Sequence, residues 1–64
     1  MRNVMFKEGD PVVITDHYNI PDCLAVVTDL RLWGVSVFSE QLRDEYPLGF
    51  YVDFGFVDHQ DVGN

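Results

Sequence analysis

Two histidines, one cysteine and a surplus of carboxylates are the groups in this 64-residue chain that could carry chemistry. His17 and His59, with Asp16, Asp58, Asp61 and Cys23, offer nitrogen, oxygen and sulfur donors to a metal ion. Zinc sites, however, favour closely spaced Cys or His pairs, and the chain has none. The histidines therefore read as surface residues beside carboxylates. Cys23 with either histidine as base would form a nucleophilic pair, but a reactive thiolate needs an electropositive setting. Asp22 is adjacent, the chain is anionic, and Leu24-Ala25-Val26-Val27 follows at once, so Cys23 reads as a packed strand thiol. Asp44-Glu45, or Asp58 with Asp61, could divide acid and base roles only in an enclosed cleft, for which so small a domain lacks room. Glycine-rich phosphate loops, Gly-Lys-Ser/Thr and nucleophile elbows are absent from the sequence. The expectation is a protein that is not an enzyme and carries neither cofactor nor metal.

The aromatic residues are more informative. Phe6, Phe38, Phe50, Phe54 and Phe56 are expected to fill a small core. Tyr18, Trp33 and Tyr46 fall in expected loops or connections, and Tyr51 on an expected strand. Such rings dominate binding hot spots. Beside Asp16, Asp22, Asp44 and Glu45 they could receive Lys or Arg by ion pairing and cation–π contact. A packing role at barrel ends is the alternative. The partner-binding candidates are Asp16, Tyr18, Asp22, Trp33, Asp44, Glu45, Tyr46 and Tyr51, concentrated in the segments Asp16–Asp22 and Asp44–Tyr46.

Eleven Asp and Glu face four Lys and Arg, a formal net charge of −7. The acids punctuate apolar runs such as Pro11-Val12-Val13-Ile14 and Phe54-Gly55-Phe56-Val57, so they must coat a folded surface. This favours a cationic partner over nucleic acid or an anionic membrane. The size allows one domain, residues 1–64, with a core over about 6–58. So small a chain buries only about 60% of its unfolded surface. With one cysteine no internal disulfide can help, and a reducing compartment is expected. At 47% hydrophobic and 14% aromatic the composition is too apolar for disorder. No secretory signal or membrane span is visible, which predicts a cytoplasmic protein.

The elements that must position these residues are short strands. Gly9-Asp10-Pro11 precedes β-branched Val12-Val13-Ile14-Thr15, a first strand. A polar loop over Asp16–Asp22 leads to a second strand, Cys23–Leu30, apolar on both faces at its centre and hence expected to be covered on both sides. Arg31-Leu32-Trp33-Gly34 is a tight connection, with Gly34 free to take positive φ. Val35–Ser39 is a third strand, Val35 and Val37 on one face, Ser36 and Phe38 on the other. Glu40–Tyr46 holds helix formers and no β-branched residue, which predicts either a short helical turn or an excursion between strands. From Phe50 to Val57 strict alternation predicts one strand, with Gly55 marking a bulge. His59–Asn64 is expected to fray.

Four to five strands in this length can close into a small bent barrel, which removes sheet edges. The run Phe6-Lys7-Glu8-Gly9-Asp10-Pro11-Val12-Val13-Ile14 resembles the entrance of SH3-like small barrels, and Phe50-Tyr51-Val52-Asp53 resembles their closing strand. The resemblance spans roughly Phe6 to Asp58 and implies an all-β SH3-like fold. Nucleic-acid-binding members are usually basic, and this chain is acidic, so fold does not carry function with it.

Three functions are compatible with these features. The first is a protein-binding module or regulatory, inhibitory subunit engaging a basic surface. The second is a DNA mimic of viral type, although the acids are dispersed, with Asp44-Glu45 the only adjacent pair. The third is a nucleic-acid-binding barrel, for which Arg2, Lys7, Arg31 and Arg43 are too few and too scattered. Trp33 with Tyr46-Pro47-Leu48 is further expected to form an apolar patch able to support a homodimer.

Overall fold

The computed structural model describes residues 5–60. Its five strands are β1 (Pro11–Ile14), β2 (Cys23–Leu30), β3 (Gly34–Phe38), β4 (Phe50–Asp53) and β5 (Val57–His59), with 3₁₀ turns η1 (Glu40–Leu42) and η2 (Phe54–Phe56). They form one antiparallel sheet in the order β4-β3-β2-β1-β5. The class is all-β, as composition and alternation predict. The edges β4 and β5 are not joined by a ladder, so the sheet stays open where full closure was expected.

β1 starts where turn chemistry hands the chain to β-branched residues. Gly9, at φ +91°, takes a conformation that L side chains rarely adopt. The turn is held by the Lys7 N–H donating to Asp10 Oδ2 (2.9 Å) and the Asp10 N–H to the Lys7 carbonyl (3.0 Å). Gly9 and Asp10 then dock onto Val27 through two main-chain bonds of 2.7 and 3.0 Å.

β2 organises the sheet. Its first half pairs with β1, Ile14 opposite Cys23 through Pro11 opposite Val26. Its second half pairs with β3, with a register shift between Val27 and Asp29. A bulge there bends the strand, which lets one strand serve two pairings. Gly55, the expected bulge, lies instead in η2.

The core is mostly aliphatic: Val12, Ile14, Cys23, Ala25, Val27, Val35, Val37, Val52 and Val57 from the strands, closed by Phe6 and Ile20. Branched side chains fill a narrow, pleated interior well. This corrects the expected phenylalanine core. Only Phe6 is buried; Phe50 and Phe56 pack at the margin, and Phe54 is 41% exposed. β2 is likewise covered on one face only, because its burial alternates and leaves Leu24 and Val26 53% and 44% exposed.

The strand expected over Phe50–Val57 is two strands. It breaks after Asp53, where η2 carries the chain from the β3 side of the sheet to the β1 side. The helical turn expected over Glu40–Tyr46 is the 3₁₀ turn Glu40–Leu42, prolonged by the Glu45 and Tyr46 N–H groups donating to the Leu42 carbonyl. His59, expected to fray, pairs with Val12, and the Gln60 side chain donates to the Val12 carbonyl at 3.0 Å. The rest of that segment, 61–64, lies outside the described residues.

Candidate functional site

The short turn η2 bonds to the connection that carries Trp33 and to the loop that carries Tyr18. At one end the Phe54 N–H donates to the Trp33 carbonyl (3.0 Å); at the other the Thr15 N–H donates to the Phe56 carbonyl (3.0 Å). The β2–β3 connection is thereby tied to the loop that follows β1. Around this tether Tyr18 and Trp33 stand 82% and 72% exposed. Phe56 lies 4.7 Å from the His17 ring and 6.1 Å, edge-on, from the Tyr18 ring. Phe54 stacks on Phe6 at 6.0 Å, and Phe6 on His59 at 4.4 Å.

The loop Asp16–Asp22 is shaped by its own side chains. Asp16 sits at φ 60°, the left-handed region that aspartate tolerates better than most residues. Its N–H donates to Asp22 Oδ1 at 3.3 Å. His17 Nδ1 accepts the N–H groups of both Asn19 (3.0 Å) and Ile20 (3.1 Å) while its ring stacks on Tyr18 at 4.6 Å. Ile20 anchors the far side in the core. Tyr18 is thus held outward by a folded loop.

Carboxylates stand close in the chain to Tyr18, Trp33 and Phe54, which we call the strip. Asp16 and Asp22 share the loop with Tyr18, Asp29 lies near the end of β2 before the turn that holds Trp33, and Asp53 directly precedes η2. Arg31 is the nearby cation, 3.6 Å from Asp29 and donating to Ser36 Oγ at 3.2 Å. On β4 the Asp53 carboxylate, hydrogen-bonded to the Tyr51 hydroxyl, raises that hydroxyl's pKa above its ordinary 10.0, with Arg31 opposing.

The predicted residues divide accordingly. Tyr18 meets η2 through its ring and Trp33 through its carbonyl, while Asp16 and Asp22 share the loop that carries Tyr18. Asp44 and Glu45 lie in the turn after η1, and Tyr46 there is half-buried against the core, 5.0 Å from Phe50, so it is a packing residue. Tyr51 projects from β4 and pairs with Ser36. Of the residues expected to form an apolar patch, Trp33 adjoins the start of β3, whereas Leu48 lies by Gly49 and Phe50, near the end of β3. Phe54, Phe56 and His17 escaped the sequence reading as strip residues. The first two looked like inward strand positions. The signal for His17 was its offset of two and three residues from Asn19 and Ile20, the spacing of a side-chain-capped turn.

A concavity of about 370 Å³ lies on the outer face of β2, lined by Leu24, Val26, Phe38, Glu40, Gln41 and Gln60 among others. Gln41 Oε1 there accepts the Leu24 N–H at 2.8 Å, standing where a strand carbonyl would. Among the described residues no group of three His, Cys, Asp or Glu is placed to hold a metal ion, and no helix is long and apolar enough to cross a membrane. Comparison with protein-family models, curated proteins and solved structures finds no match.

Proposed function

We propose that this chain is a non-enzymatic binding module that engages a basic segment of a protein partner across the strip of Tyr18, Trp33 and Phe54. The observation that carries the reading is the set of exposed rings around η2 with Asp16, Asp22, Asp29 and Asp53 close to them in the chain. A rigid ring supplies contact area at little entropic cost, and carboxylates beside it add ion pairing to a cation–π contact. With a net charge of −7, approach of a cationic segment is favoured from a distance. The order of strand, long first loop, strand, tight turn, strand, excursion and strand supports the SH3-like resemblance.

The test is a titration of the isotope-labelled chain with a Lys- and Arg-rich peptide, followed by NMR at low and high salt. Shifts centred on Tyr18, Trp33 and Phe54, with affinity falling as salt rises, are expected. Shifts confined to the outer face of β2, or equal affinity at both salts, would overturn the reading. If the peptide fails while a DNA-binding enzyme is inhibited competitively with DNA, the mimic replaces it.

A further inference from the structure

We propose that His17 makes the Asp16–Asp22 loop acid-sensitive, so that protonation of its Nδ1 releases Tyr18 and dismantles one side of the strip. The claim about the loop stands by itself; the consequence for binding rests on the function proposed above.

The geometry is asymmetric between the two histidines. His17 Nδ1 faces two main-chain N–H groups, at 3.0 Å from Asn19 and 3.1 Å from Ile20, and can only accept from them. A neutral ring protonated on Nε2 supplies the required lone pair; an imidazolium carries N–H on both nitrogens and supplies none. Protonation therefore sets three N–H groups against one another and leaves two main-chain donors without a partner. His59 is the opposite case. Its Nε2 lies 2.8 Å from the Met5 carbonyl, which can only accept, so this nitrogen donates in either charge state and the bond survives protonation.

The surroundings add no charged group from η2, whose residues are Phe54, Gly55 and Phe56. The charged groups of the loop are Asp16 and Asp22, and Tyr18 is its other titratable residue. A protonated ring is drawn toward those carboxylates and away from the two donors. Leaving its place, it gives up the stack on Tyr18 and the contact with Phe56, which position Tyr18 beside the strip.

The experiment is an NMR titration of the full chain from about pH 8 to about pH 5, the interval over which histidine changes charge. The amide resonances of Asn19 and Ile20 are expected to move together with the His17 ring proton, and both amides to exchange faster with solvent at the acid end. The Met5–His59 contact serves as the internal reference and should stay. In His17→Asn a side-chain oxygen can accept from the same two donors without titrating in this interval, so those amides should stay still. A peptide of Lys and Arg, whose charge is constant here, should bind the wild type about tenfold more weakly at acid pH, the loss of roughly one hot-spot contact. Asn19 and Ile20 amides that stand still while the His17 ring titrates would overturn the proposal, as would a ring that does not titrate in the interval. Amides that move while peptide affinity stays constant would leave the loop device standing and overturn the binding surface. If His17→Asn does not fold, the wild-type titration decides alone.

Discussion

The Cα of Gly34 lies so close to the carbonyl oxygen of Val52 that a Cβ built on it would overlap that oxygen, 2.9 Å from both Asp53 Cα and Tyr51 Oη. Its φ is not in the left-handed region. Glycine is required here by the approach of two strands, not by the turn. Gly34→Ala should therefore cost about 1–3 kcal/mol, the usual penalty of overpacking where backbone must give way. Urea unfolding measures it; an unchanged midpoint would contradict the close contact.

Ser39 is the opposite kind of misfit. Its hydroxyl is buried just after β3 and has no hydrogen-bond partner among the described residues. Burying such a group costs about 1–3 kcal/mol, so Ser39→Ala should stabilise the fold by about 1 kcal/mol. A raised unfolding midpoint is expected. A lowered one would mean that the hydroxyl holds an ordered water.

Tyr51 gives a dependence on pH. Its pKa is raised chiefly by the hydrogen bond to Asp53, so the folded chain favours the neutral phenol more than the unfolded chain does. The resulting stabilisation is complete below the ordinary value of 10.0 and is lost as pH rises through the raised value. Asp53→Asn should bring the phenolate absorbance transition down to lower pH. An unmoved transition would separate Tyr51 from Asp53.

Tyr18 and Trp33 are exposed enough that alanine at either should change stability by no more than about 0.5–1 kcal/mol. Loss of either ring should weaken a cationic peptide about tenfold or more if both act as anchors. Asp16→Asn and Asp22→Asn should mainly slow association and flatten its salt dependence. Calorimetry and stopped-flow kinetics distinguish these outcomes. Ring variants that bind like wild type would remove the strip from consideration.

The first three strands were legible because their signals are local: Gly9 before β1 and Pro11 opening it, the polar loop before β2, the alternation of Val35 and Val37 in β3. The reading of Phe50–Val57 as one strand went wrong for a particular reason. Phe50, Val52, Phe54 and Phe56 alternate regardless of where the chain turns, and η2 preserves the spacing while ending the strand. What breaks it is pairing, since β4 must lie against β3 and β5 against β1. The outward faces of Leu24 and Val26 misled in the same way, because apolar composition does not say whether another layer will arrive.

Of the candidate site, the residues were visible and their grouping was not. The Tyr18 and Trp33 residues stood out as loop aromatics beside acids, yet they are 15 positions apart and meet η2 separately, Tyr18 through its ring against Phe56 and Trp33 through its carbonyl. Acid excess, strand-forming residues and turn glycines are short-range properties, and the sequence alone determined an all-β chain with an anionic coat. Register, the course of η2 and the ring set around it depend on contacts between residues far apart along the chain. Those were decided by the one packing that buries Val12, Val27, Val35 and Val52 together.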